Sequence, residues 1–128
     1  MRVLLDTHVF LWWVEGNRVL PAKVRSIVAD PANECLISLV SAWELAIKAG
    51  LGKLKLALPV KRFIVENVAA NGFRMLDIKI AHVGRVETLA SHHGDPFDRL
   101  LIAQALEEDI PLVTADPIFR KYGVKRIW

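Results

Sequence analysis

Apolar residues along this chain fall into two kinds of pattern. Some are short, nearly continuous runs: Val3-Leu4-Leu5, Cys35 to Leu39 with Ser38 inside it, Leu112 to Thr114, and a looser one over Met75 to Ile78 that Asp77 interrupts. Runs without alternation suit strands buried on both faces of a parallel sheet. Elsewhere apolar positions recur every three or four residues, as amphipathic helices require. The pattern predicts a strand over 2–5, a helix from Thr7 to about Trp13, and a helix from Pro21 to about Ala29. A second strand over 35–39 leads to a helix that starts at Ser41 and ends near Gly50. Lys53 to Leu58 is irregular, and a helix follows from Pro59 to about Ala70. Then come a strand over 75–78, a helix from Ile80 to about Ser91, a helix over 96–107, a strand over 112–114 and a short edge strand within 124–128. Gly16-Asn17, Asp30-Pro31, Asn71-Gly72 and His92-His93-Gly94 mark the breaks. Strands alternating with helices imply one domain over 1–128, with a mainly parallel sheet of four to five strands covered by helices on both faces.

Four acids interrupt this apolar scheme. Asp6 ends the first strand, and Asp116 follows the run that ends at Ala115. Glu44 and Asp98 stand in what read as first turns of helices. In an open α/β sheet, ligands bind outside the carboxyl ends of the strands, so the four side chains are expected to share one rim. Carboxylates crowded together resist ionising together. A hard cation such as Mg²⁺ or Mn²⁺ relieves that conflict through oxygen ligands.

Each acid also has a purely local reading. Ser41-Ala42-Trp43-Glu44 matches a capping box. Asp95-Pro96-Phe97-Asp98 matches an N-cap with proline at the first helical position. Asp116-Pro117 is a common turn start, and Asp6 or Thr7 suits the cap of the first helix. Taken together, however, these readings leave unexplained why nearly every strand-to-helix junction carries an acid.

Composition narrows the class. Hydrophobic residues make up 53% and mean hydropathy is +0.31, which excludes a disordered chain. No apolar stretch reaches membrane-spanning length, and the start does not read as a signal peptide. The single Cys35 lies in a strand-like run, so neither a disulfide nor a zinc site is expected, and a reducing cytoplasm fits. Seventeen basic residues outnumber fourteen acids, for a net charge of +3. Without the four junction acids the rest carries +7, a basic body around an acidic pocket that suits a polyanion. A basic surface that serves only solubility gives the same balance.

The segments LLDTHVFLWW, SLVSAWELAIKAGLGKLKL, DPFDRLLIAQALEEDIPLVTADPIF and YGVKRIW together resemble a PIN domain. Within that fold they resemble the VapC-type toxin ribonucleases of bacterial toxin–antitoxin pairs, over essentially the whole chain. The resemblance implies a three-layer α/β/α sandwich and an acidic tetrad, Asp6, Glu44, Asp98 and Asp116, that binds Mg²⁺ or Mn²⁺. Asp6 and Asp98 would be direct ligands; Asp116 and Glu44 would bind directly or through water. It further implies metal-assisted hydrolysis of RNA that leaves a 5′-phosphate and a 3′-hydroxyl, a VapB-like antitoxin partner and a homodimer. Thr114 matches a hydroxyl residue common near such a site.

Other residues carry weaker signals. Arg99 either contacts phosphate or pairs with an acid. Lys48, Lys53 and Lys55 flank a glycine-rich turn and either track an RNA backbone or belong to a solvated loop. Asp95 reads as a cap, and His92-His93-Gly94-Asp95 as either a metal-binding stretch or, in preference, an exposed loop. Trp12 or Trp13 either stacks on a base or packs in the core. The helix with Val60, Phe63, Ile64 and Val68 reads as core or dimer surface. Two other functions stay open: a non-catalytic Mg²⁺-binding receiver or scaffold, and a DNA nuclease of the same broad fold. A receiver would need paired acids after the first strand and an acid after a middle strand, and this chain has neither.

Overall fold

The five strands form one sheet in which every pairing is parallel. In the computed structural model, which describes residues 1–128, they are β1 (Arg2–Leu5), β2 (Glu34–Ser38), β3 (Arg74–Leu76), β4 (Leu112–Val113) and β5 (Arg126–Ile127). Their spatial order is β3-β2-β1-β4-β5. The chain first builds outward from β1 through β2 to β3, then returns to the other side of β1 for β4 and β5. The carboxyl ends of β1 and β4 therefore flank the point where the winding reverses, the place where such sheets open a crevice.

Burial on both sheet faces explains the nearly continuous apolar runs. Val3, Leu5, Cys35, Ile37, Val113 and Ile127 point into one core, whereas Leu4, Leu36 and Leu112 point into another. The first core is closed by α1 (Thr7–Glu15), α2 (Ala22–Ala29) and α4 (Val60–Ala70), through Val9, Phe10, Val24, Val28, Phe63 and Ile64. The second is closed by α6 (Pro96–Glu108) and the 3₁₀ helix Pro117–Tyr122, through Leu101, Ile102, Ala105 and Phe119. Each fully buried Leu on these strands contributes roughly 1.5–3 kcal/mol from removal of apolar surface from water. The face of α4 that carries Phe63 and Ile64 is thus spent on the core and offers no dimer surface.

Helix α3 (Leu39–Gly50) touches both α1 and α6, and so bridges the two layers next to the rim. It begins two residues before the predicted Ser41, because Ser38 at the end of β2 accepts a hydrogen bond from the Val40 amide and caps it. Helix α5 (Ile80–Glu87) packs on α6 and stops four residues short of the predicted end. There the Thr88 and Leu89 amides turn back to carbonyls three residues earlier, which tightens and ends the helix. Strand β3 ends at Leu76 rather than Ile78, since the next carbonyl, Asp77, accepts from the Gln104 side chain instead of continuing the ladder.

Gln104 belongs to a buried polar chain that locks α6 to the sheet. Ser38 donates to its Oε1 (2.5 Å), and its Nε2 reaches His82 Nδ1 (3.3 Å). The Lys79 amide also donates to His82 Nδ1 (3.0 Å), so the ring proton sits on Nε2 and points at Glu108 (3.1 Å). No buried side-chain polar atom is left without a partner, so this network holds α6 in register at little desolvation cost.

Candidate active site

The carboxyl end of β1 places Asp6 at the N-cap position of α1, yet its side chain makes no cap bond. It instead accepts a hydrogen bond from the Thr114 hydroxyl (2.8 Å), which crosses from the end of β4. Thr114 Oγ1 in turn accepts from the Asp116 amide (3.2 Å). Arg126 donates to the Thr114 carbonyl (3.1 Å) and the Ala115 carbonyl (2.8 Å), which pins the loop that presents Asp116. Asp116 itself is exposed, and one of its oxygens caps the 3₁₀ helix at the Ile118 amide (3.0 Å). Its turn-forming reading and its place at the rim therefore hold together.

Glu44 departs from its local reading. The Ser41–Glu44 capping box does not form. Because α3 starts at Leu39, Ser41 lies inside the helix, is fully buried, and accepts from the Thr7 hydroxyl (2.7 Å). That bond draws α3 against the start of α1. Glu44 falls in the second turn, buried, and forms an ion pair with Lys48 Nζ (2.5 Å). On α6 the cap is Asp95, whose Oδ1 accepts from the Phe97 and Asp98 amides (2.9 and 3.0 Å). Asp98 is left free of capping duty in the first turn.

All four acids line one open cavity of about 510 Å³, together with Asp95, His8, Trp12, Lys48, Ala115, Pro117 and Phe119. Burial raises the Asp6 carboxyl above its ordinary value; the Thr114 hydroxyl and His8 oppose this, and the Glu44 charge adds to it. Asp98 is pushed up to about 6, mainly by burial, with Asp95 and Asp6 adding repulsion and a His93 hydrogen bond opposing it. Lys48 is raised by its hydrogen bond to Glu44. Shifted acids gathered in a cleft are a mark of a functional site.

Among the residues singled out from sequence, Lys48 and Trp12 line this cavity. Trp12 is half-buried, packs against the core, and neighbours the rings of His8 (5.8 Å) and Trp128 (6.1 Å). Trp13 is tied to Asn71 through its indole nitrogen (3.0 Å), which makes it structural. Lys53 borders an adjoining depression with Thr7, His8 and Lys48, outside the acidic cavity. Arg99 pairs with no acid: it donates to the Ala90 carbonyl (2.9 Å) and the Tyr122 hydroxyl (3.2 Å). Sequence reasoning missed His8, one residue after Thr7 on the rim, and His93, which contacts Asp98 (3.1 Å). The local signals were the His92-His93-Gly94-Asp95 cluster, read in preference as an exposed loop, and the position of His93 five residues ahead of Asp98.

A PIN-domain family model matches residues 3–125. The chain belongs to the PIN-domain family. It is 34% identical over 122 residues to Ribonuclease VapC22 of Mycobacterium tuberculosis, covering 94% of this chain and 91% of that protein. A shorter stretch of 60 residues is 37% identical to Ribonuclease VapC16 of the same organism. The PIN fold is shared with a chain of the VapBC2 complex from Rickettsia felis, bound to a fragment of its promoter DNA. That match has a TM-score of 0.73 and 17% identity, and covers 99% of this chain and 98% of that one. A chain of DNA-bound VapBC from Salmonella typhimurium gives the same TM-score and identity, with 99% and 97% covered.

The donor set of the cavity fits a hard divalent cation: carboxylate oxygens dominate and no thiolate is present. The acids do not form a closed cage, since no three acid, His or Cys side chains are gathered tightly enough to enclose an ion. An open site of this kind suits Mg²⁺, which keeps several waters and uses one or two carboxylates plus substrate phosphate. No helix is long and apolar enough to cross a membrane.

Proposed function

We propose that this chain, acting as one PIN domain over residues 1–128, is a metal-dependent endoribonuclease and the toxin of a toxin–antitoxin pair in a reducing cytoplasm. The observation that carries the reading is the meeting of Asp6, Glu44, Asp98 and Asp116, from four separate segments, around one cavity at the reversal point of the sheet. The kinship to a mycobacterial ribonuclease over nearly the whole chain supports RNA as the substrate.

Asp6 and Asp98 are the residues that would hold Mg²⁺ or Mn²⁺, with Asp116 and Glu44 completing the acidic wall. Bound there, the ion would supply charge stabilisation at the phosphate and acidify an attacking water. The chain's own residues do the rest. Thr114 orients Asp6 by donating to Oδ2. The fixed carboxylates hold the reacting groups in one geometry and so remove much of the entropy cost of bringing them together. Trp12 and His8 present ring surface beside the acids, against which a base flanking the cleaved phosphate can stack. Lys48 lies where it can exchange Glu44 for a substrate phosphate.

The direct test incubates the purified chain with labelled RNA and with DNA of the same sequence, with Mn²⁺ and with chelator. RNA cut only with metal, to ends bearing 5′-phosphate, is expected; uncut RNA with metal bound would leave the receiver or scaffold reading, and equal cutting of DNA the DNA-nuclease reading.

Lys48→Gln should weaken RNA binding and lower the slope of log affinity against log salt by about one, the signature of one lost phosphate contact. An unchanged slope would confine Lys48 to pairing with Glu44.

The antitoxin and a second copy of the chain both need apolar surface. Leu39, Trp43 and Ile47 lie exposed along one face of α3, and Ile80 and Val83 are exposed on α5. A groove lined by Trp43, Val83, Val86, Pro96 and Leu100 lies beside them. Exposed apolar area of this kind marks a protein interface. Trp43→Glu should shift a dimer toward monomer, or abolish co-purification with the antitoxin product of the adjacent gene. Light scattering and pull-down tell these apart; a wild-type monomer that captures no such product would defeat both partner assignments.

A further inference from the structure

Next to the acidic cavity lies a hydrogen-bonded cluster that none of the preceding chemistry uses. His93 sits in the loop between α5 and α6, half-buried. Its Nε2 lies 3.1 Å from Asp98 Oδ2, and its Nδ1 lies 2.6 Å from the Tyr122 hydroxyl. Which nitrogen carries the proton follows from the surroundings of that hydroxyl. Three N–H groups converge on the tyrosine oxygen: the His92 amide (3.3 Å), the His93 amide (3.1 Å) and Arg99 Nη1 (3.2 Å). All three are donors only. The hydroxyl's own proton must therefore point away from them. Two acceptors are in reach, His93 Nδ1 at 2.6 Å and the His93 carbonyl at 3.4 Å. The short contact takes it, so Nδ1 accepts and the proton of the neutral ring lies on Nε2. The opposite tautomer would bring a fourth donor to the tyrosine oxygen and set the Nε2 lone pair against a carboxylate oxygen.

We propose that His93 is a positioning residue of the acidic site, held by Tyr122 as the Nε2–H tautomer so that it donates to Asp98 Oδ2 and aims the other oxygen at a divalent cation. The proposal rests on the reading of Asp98 as a metal ligand. Donors run in one direction, from Arg99 to Tyr122 to His93 to Asp98, and end on a single carboxylate oxygen. The backbone of Asp98 is fixed separately, by the hydrogen bond that its amide donates to Asp95 Oδ1. Arg99 is anchored by the Ala90 carbonyl and lies over the Tyr122 ring at 5.9 Å, so the loop, the 3₁₀ helix and the first turn of α6 are clamped as one unit. With backbone and one oxygen both held, Asp98 keeps one side-chain orientation before any ion arrives. Partners that orient a ligand in this way typically change metal affinity by roughly 10–100-fold.

The test compares two substitutions of similar length. His93→Gln retains an N–H donor near the Nε2 position; His93→Met has none. Mn²⁺ affinity is measured on folded, metal-free protein by calorimetry and by Mn²⁺ paramagnetic resonance, beside wild type, Tyr122→Phe and Asp98→Asn. His93→Met is expected to bind Mn²⁺ roughly 10–100-fold more weakly, His93→Gln to recover most of that loss, and Tyr122→Phe to fall between. Long-range proton–nitrogen NMR of the wild-type imidazole should show the Nε2–H pattern. Equal affinity of His93→Met and wild type, or equal weakness of the Gln and Met variants, overturns the proposal, as does an Nδ1–H tautomer. Asp98→Asn separates the two levels. If it binds Mn²⁺ like wild type, the metal-site reading fails and this proposal with it. If it loses Mn²⁺ while His93→Met does not, only the role of His93 fails.

Discussion

Asp6→Asn and Asp98→Asn are each expected to lower RNA cleavage by on the order of 10³-fold or more, the scale on which loss of one group that supports transition-state charge is felt. The substitutions are nearly isosteric and preserve the local hydrogen bonds. An asparagine oxygen at 6 still accepts from Thr114, and one at 98 still accepts from His93. What disappears is a negative charge that burial already disfavours at both positions. Thermal midpoints without metal should therefore hold or rise while activity vanishes. Gel-based cleavage and calorimetric melting on the same preparations check both halves. Retained cleavage in a folded variant would remove that acid from the reaction, and unfolding would assign it to holding the rim.

Affinity for Mn²⁺ should fall roughly 10–100-fold between pH 7 and pH 5, because protons and metal compete for the same oxygens. With its carboxyl pushed up to about 6, Asp98 is mostly ionised at pH 7 and mostly protonated at pH 5. The raised Asp6 adds to the effect in the same direction. Stability of the metal-free protein should respond with the opposite sign. A carboxyl raised on folding binds its proton more tightly in the native state, so its contribution is full below the unfolded value near 3.8. It is lost as pH rises through about 6. The metal-free melting midpoint should then increase from pH 7 to pH 5 in wild type, and that increase should be smaller in Asp98→Asn. Calorimetric titrations and melts at pH 5, 6 and 7 test this; a Mn²⁺ affinity independent of pH would show that Asp98 does not exchange its proton for the ion.

The α/β architecture was legible because its signals are local. Val3-Leu4-Leu5 and Leu112-Val113 lack alternation since both sheet faces are covered, and contiguous residues alone report that. Glu44 shows the opposite situation. A capping box is a sound local inference, yet Ser38, three positions before the expected helix start, caps it first, and the hydroxyl of Ser41 is claimed by Thr7. Arg99 and His93 were misjudged for a related reason: their partner is Tyr122, and nothing in the flanking residues marks it. Of the two readings left open for the Phe63 helix, core or dimer surface, the packing of Phe63 and Ile64 selects the core.

By itself, then, the sequence determined the kind and order of the elements, burial on both sheet faces, and four acids at or soon after the starts of helical segments, since periodicity, apolar runs and caps are properties of neighbouring residues. Only the tertiary structure decided that β4 lies beside β1, which brings Thr114 onto Asp6 across 108 positions. It also decided that α3 leans on α1 so that Glu44 faces the same cavity, and that the Tyr122 hydroxyl lies against the histidine that contacts Asp98. Those facts depend on strand order and on competition among donors for one acceptor, and neither is encoded within the reach of a single helix turn or strand.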